Sequence, residues 1–164
     1  MWLVAVALWC GAGCADKAIV LRSLTGDSPG REWVWPYFLE GQPVVLAFWT
    51  TDEMQCLRDV PALKALEARE GAVQLVTVVV GRDRMEIDKW VRDERLGYVV
   101  LLDLDEKLAR RLGVEAYPTY VLFDAGGKEV SRAEDIRLAR NWFDRERWLE
   151  RTGAVKPASG PDPE

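Results

Sequence analysis

The sequence predicts an α/β fold in which a central β-sheet is flanked by helices on both faces. Three observations carry this. Val44–Phe48 (VVLAF) is a short unbroken apolar run, the pattern of a strand buried on both faces of a parallel sheet. It leads through a polar turn into a helical pattern with Cys56, Val60, Leu63 and Leu66 on one face. Two more apolar runs, Ala72–Val80 and Tyr98–Leu102, are separated by a helix-length amphipathic segment, so strands and helices alternate. At 164 residues the chain suits one domain.

In chain order, Lys17–Leu21 reads as a first edge strand and Gly26–Gly30 as a turn cluster. Glu32–Phe38 alternates as a second short strand, with Trp33, Trp35 and Tyr37 at period two. Such a stripe either packs beneath the sheet or meets a partner, and packing is the simpler reading. Glu40–Pro43 is the turn before the central strand. Thr50-x-x-Glu53 and Asp52-x-x-Gln55 both read as capping boxes, and Gly71 as the helix stop. This strand-to-helix junction aims backbone N–H groups and a positive dipole end at the sheet's carboxyl edge, where open α/β sheets place their chemistry.

Arg82–Leu96 reads as an amphipathic helix with Met85, Trp90, Val91 and Leu96 inward. Tyr98–Leu102 is a third buried strand, and Glu106–Leu112 a short helix stopped by Gly113. Tyr120–Phe123 and Glu129–Arg132 form a closing hairpin around Asp124–Lys128, with Gly126 and Gly127 expected at positive φ. Leu138, Trp142, Arg145 and Leu149 then mark a last helical face, ending at Gly153. The arginines of that segment interleave with Asp144, Glu146 and Glu150, as on a solvated face. The globular domain is expected over residues 14–152, with 153–164 a disordered tail by composition.

Several function classes are excluded. A formal net charge of −5 without a basic block argues against a nucleic-acid partner. The absence of histidine removes His-based catalysis and most zinc sites, and no metal or cofactor is expected. No apolar run has the roughly 18–20 residues a membrane-crossing helix needs.

Met1–Ala15 (MWLVAVALWCGAGCA) resembles a bacterial lipoprotein signal, with Gly11-Ala12-Gly13-Cys14 as the lipobox. It departs from that pattern in having Gly11 where leucine is usual and no Lys or Arg before the apolar run. The resemblance implies removal of residues 1–13, lipidation of Cys14 and a membrane anchor in the bacterial envelope. Cys10 then leaves with the signal, and Cys56 is the one remaining free thiol. If the segment is retained, Cys10 and Cys14 could instead pair or bind a soft metal.

Phe48-Trp49-Thr50-Thr51, followed by Cys56 and Pro61, resembles the active-site strand and helix of thioredoxin-fold proteins, specifically the TlpA/ResA-like (AhpC/TSA–redoxin) envelope branch. That family reads F-W-A-T-W-C-x-x-C with a proline five residues after the second cysteine. Cys56 matches the resolving cysteine, while Glu53 stands at the place of the nucleophilic one and Asp52 at that of the preceding tryptophan. Gly113-Val114-Glu115-Ala116-Tyr117-Pro118-Thr119 resembles the segment whose proline is cis and faces the active-site helix. The resemblance spans roughly residues 18–149. It implies a thioredoxin-like fold with a mixed central sheet, a cis Tyr117–Pro118 bond, and a groove where Trp49, Tyr117, Pro118 and Thr119 contact an extended peptide.

The missing first thiol decides the expected chemistry. In a Cys-x-x-Cys site the first thiolate, activated at the helix N-terminus, attacks a substrate disulfide and the second thiol resolves the product. A carboxylate at Glu53 cannot do this, and Ala47 replaces the acidic proton acceptor that some thioredoxins carry. The leading expectation is a redox-inactive lipoprotein that binds an envelope protein or extended peptide. A monothiol oxidoreductase using Cys56 is the alternative. Peroxidase chemistry needs threonine three residues before the cysteine, where this chain has Glu53.

Overall fold

A computed structural model of the chain describes residues 18–25, 29–68, 73–81 and 83–143. Seven strands form one mixed sheet in the order β2-β1-β5-β4-β3-β6-β7. They are β1 Ile19–Ser23, β2 Glu32–Trp35, β3 Val44–Trp49, β4 Gln74–Val80, β5 Val99–Asp103, β6 Thr119–Phe123 and β7 Glu129–Ala133. Among the described residues four helices flank it: α1 Met54–Glu67, α2 Arg84–Asp93, α3 Lys107–Arg111 and α4 Ile136–Ala139. Strands β3, β4 and β5 run parallel, Val44↔Gln74 and Val76↔Val99 opening their registers, while β6 pairs antiparallel to β3.

Because side chains alternate along a strand, the sheet supports two cores. Val45, Ala47 and Trp49 of β3 join Tyr120 and Leu122 of β6 beneath α1, α2 and α4. Val44, Leu46 and Phe48 join Val76, Val78 and Val121 on the other face, covered by Trp35, Leu39 and Leu108. Every residue of β3 is buried, as its unbroken apolar run predicts. On α1, Cys56, Val60, Leu63 and Leu66 all face the sheet. Asp103, buried at the end of β5, accepts from the Leu108 and Ala109 N–H groups at 3.0 and 2.9 Å and so sets where α3 begins.

Several expectations are corrected. The first strand is Ile19–Ser23 and lies inside the sheet between β2 and β5, so β2 and β7 are the edges. The second strand stops at Trp35, where a cis bond to Pro36 leads into a 3-10 turn at Tyr37–Leu39. This splits the aromatic stripe: Trp35 is buried, Trp33 packs partly against the core, and Tyr37 is 63% exposed. In α2 the inward pair is Ile87 and Val91, four residues apart, while Met85 is 80% exposed. Asp83 caps that helix by accepting from Met85 and Glu86 N–H, which fixes the phase that turns Met85 outward. Leu96, expected within α2, is buried beyond its end.

In the β6–β7 turn only Gly127 takes a positive φ, of 78°. Asp124 closes that turn by accepting from the Gly126 and Lys128 N–H groups. The last helix keeps α geometry only to Ala139 and tightens into a 3-10 turn over Arg140–Phe143, so Leu138 faces solvent while Trp142 is buried. The signal segment 1–13, Cys10, Cys14, Gly71, Arg145, Leu149 and the tail 153–164 lie outside the described residues. Among the described residues no helix is long and apolar enough to cross a membrane.

Candidate functional site

The carboxyl ends of β3 and β4, the start of α1 and the loop before β6 converge on one edge of the sheet. β3 delivers the chain at Trp49, and Thr50–Glu53 turns it into α1. The turn is held by Asp52 N–H donating to Thr50 Oγ1 at 3.4 Å. Neither expected capping box forms, because Glu53 is itself the N-cap, with extended backbone and no side-chain cap bond. Thr50 and Asp52 therefore lie outside the frame in which a side chain reaches the first helical N–H groups.

Cys56 sits in the first turn of α1 and is 2% exposed. Burial, reinforced by the carboxylates of Asp59 and Glu53, pushes its thiol up to about 11, although the backbone at Thr50 and at Cys56 itself partly favours the thiolate. The helix N-terminus is thus outweighed by desolvation. Directly below it, Asp59 is also buried, with 4% exposure. Tyr120 Oη donates to Asp59 Oδ2 at 2.6 Å, and Gln55 Nε2 donates to Oδ1 at 2.8 Å. The sequence reading missed this pair, although Asp59 lies three residues after Cys56, at a spacing that shares the inward face.

Tyr117–Pro118 is cis, as the resemblance implied. Pro118 is buried, and Thr119 Oγ1 donates to the Ala116 carbonyl at 2.7 Å, which ties the loop to the start of β6. The register Phe48↔Thr119 sets this loop beside the β3–α1 turn. Burial, then the Glu106 and Asp103 carboxylates, raise the Tyr117 phenol. Tyr117, Glu53, Asp52, Asp83, Glu86 and Glu106 help line an open cleft of about 520 Å³. Among its described lining residues there is no lysine or arginine. No group of three potential ligands there or elsewhere among the described residues is arranged to hold a metal ion.

Of the sequence-derived site residues, Glu53 and Tyr117 line the cleft, whereas Cys56 lies buried behind its wall. Trp49 is 2% exposed, packs against Trp90 with centroids 4.5 Å apart, and points into the core rather than the cleft.

Residues 17–130 match the model of the AhpC/TSA family. The chain belongs to that family. It is 28% identical over 104 residues to the thiol-disulfide oxidoreductase ResA of Geobacillus thermodenitrificans, covering 62% of this chain and 59% of that protein. It is 30% identical over 89 residues to the soluble secreted antigen MPT53 of Mycobacterium tuberculosis, covering 54% of this chain and 51% of that one. The chain therefore spans little more than half the length of these relatives.

Among solved structures, a secreted M. tuberculosis disulfide oxidoreductase homologous to E. coli DsbE superposes with a TM-score of 0.61 at 25% identity, over 71% of this chain and 83% of that one. A putative thioredoxin from Neisseria meningitidis superposes at 0.65 with 23% identity, over 80% and 87%. The fold is thioredoxin-like, with helices on both faces of a mixed sheet. The relatives thus include a thiol-disulfide oxidoreductase, ResA, and a soluble secreted antigen, MPT53, and the disulfide oxidoreductase of the first superposition is likewise secreted.

Proposed function

We propose that this AhpC/TSA protein is an envelope lipoprotein, anchored through Cys14, that has kept the thioredoxin frame but does not run dithiol exchange. It acts instead by binding an extended peptide or protein segment along the edge formed by Tyr117, Pro118 and Thr119. The observation that carries this is the thiol count at the α1 N-terminus: Glu53 stands at the exposed N-cap, and the single thiol, Cys56, is buried.

The electron balance explains why one thiol matters. Reducing a substrate disulfide to two thiols requires two protein thiols to become a disulfide. A lone Cys56 could displace only one substrate sulfur, leaving a mixed disulfide until a second thiol from outside resolved it. The alternative is monothiol exchange of that kind through Cys56. The raised thiol and its burial weigh against it.

Insulin reduction tests this with wild type, Glu53→Cys, and Glu53→Cys combined with Cys56→Ser. Wild type should not exceed the background of the chemical reductant. Glu53→Cys should form a disulfide with Cys56 on mild oxidation and gain partial activity, held down by Asp52 beside the new thiolate. The double variant should lose that gain. Catalysis by wild type would sink the proposal. Failure of folded Glu53→Cys to form the disulfide would show that positions 53 and 56 are not the paired sites.

A further inference from the structure

At the opposite edge of the sheet lies a second concavity, of about 440 Å³, lined by Arg31, Trp33, Tyr37, Phe38, Gln42 and Gln74 among others. It arises where β2 ends at Trp35 and the 3-10 turn carries Tyr37 and Phe38 outward. Phe38 packs edge-on to Trp33, with centroids 5.5 Å apart and planes at 72°, which makes a rigid aromatic wall. Tyr37 projects from the same turn with 63% of its surface exposed, far more than a ring needed for the core would show.

The polar part of the wall is mostly spoken for within the protein. Glu32 pairs with Arg22 at 3.4 Å, and the Arg31 guanidinium lies over the Trp33 ring, 5.5 Å from its centroid. Gln42 Nε2 donates to Gln74 Oε1 at 2.7 Å, which fixes both amide planes. That bond leaves the Gln42 carbonyl oxygen to accept, and the second Gln42 amide hydrogen and the Gln74 amide hydrogens to donate. The charged lining residues are one cation, Arg31, and one anion, Glu32, so the concavity presents no single sign of charge to an ionic ligand. The rings and the neutral amides are what a ligand would meet.

We propose that this concavity binds a pyranose ring of a glycan. A sugar ring has two C–H faces whose partial positive charge suits the negative face of Tyr37, and an equatorial rim of hydroxyls that need paired acceptors and donors. The volume has room for about two such rings. The site is separate from the Cys56 edge: Gln74 opens β4 and Val80 closes it, a distance of about 20 Å along the strand. It therefore stands whatever the thiol does. Two sources share this chemistry, an amino-sugar polymer and a neutral sugar.

The test is a titration of the full ¹⁵N-labelled chain with chitotriose and, separately, maltotriose. Binding should shift the backbone amides of Arg31–Trp35, Tyr37 and Phe38, the Trp33 indole N–H and the Gln42 and Gln74 side-chain amides, while amides around Cys56 stay still. Chitotriose alone acting would identify the amino-sugar source, maltotriose alone the neutral one. Tyr37→Ala should weaken binding about tenfold and Gln42→Ala several-fold, both at exposed positions where the fold is retained. No shift with either sugar at about 20 mM, a concentration that populates even millimolar sites, would overturn the proposal. So would unchanged affinity in Tyr37→Ala whose spectrum is otherwise that of wild type.

Discussion

Cys56 and Asp59 occupy successive turns of one helix and face the same core, yet their polar needs are met differently. Asp59 receives two hydrogen bonds, from Tyr120 and Gln55, whereas at Cys56 desolvation and neighbouring carboxylates outweigh the backbone contacts at Thr50 and Cys56 that favour the thiolate. A thiol raised to about 11 from 9.0 carries about 100-fold less thiolate at pH 8 than an unfolded one. Native Cys56 should therefore react slowly with iodoacetamide, with a rate still climbing above pH 10, and should react at peptide-like speed in denaturant. Native labelling as fast as a free peptide thiol would reverse this and favour monothiol chemistry. The linked effect on stability has a definite sign. The folded thiol holds its proton more tightly, so its contribution is complete below pH 9 and is lost as pH rises toward 11. The inward position of Cys56 was legible from the stripe it shares with Val60, Leu63 and Leu66. Asp59 was not, because a charged residue on that stripe looks like an interruption until Tyr120 arrives from a strand 61 residues away.

At the scale of elements, the α1 start shows how a sequence pattern can be right about place and wrong about mechanism. Two overlapping capping boxes marked the junction correctly, but the N-cap is Glu53, whose side chain makes no cap bond. Helix α2, by contrast, has Asp83 accepting from two N–H groups. Glu53→Ser should thus stabilise the protein by roughly 0.5–1 kcal/mol, because a short hydroxyl at this extended N-cap can reach a free N–H. Urea unfolding checks it, and a midpoint unchanged or lowered at constant slope would show that Glu53 already gives α1 an equivalent interaction. Unbroken apolar runs and the 3.6 period located the central strands and both long helices, although β1 was expected at an edge and lies inside the sheet. They failed where the chain changes conformation within a few residues, at Trp35–Tyr37 and at Ala139–Arg140, since both sides of each break remain apolar. The stripe at Trp33, Trp35 and Tyr37 was correctly read as packing for its first two members only.

At the scale of the whole molecule, the sheet's direction links the proposed anchor to the proposed groove. β5 runs parallel to β3 and β4, so its carboxyl end shares the edge with Cys56 and cis Pro118. β1 is antiparallel to β5, with Arg22↔Leu102, so Ile19 enters the sheet at that same edge. Only four residues lie between Cys14 and Ile19, so the two are at most about 18 Å apart when fully extended. A lipid on Cys14 would therefore hold the peptide-binding edge close to the membrane surface, where it would meet the juxtamembrane segments of envelope proteins. One acyl-modified cysteine decides whether this arrangement exists. Metabolic labelling with palmitate should mark wild type and miss Cys14→Ser, and the variant should move from the membrane fraction to the soluble one. Equal labelling of the two proteins would refute the anchor, and with it the orientation that follows from a four-residue tether.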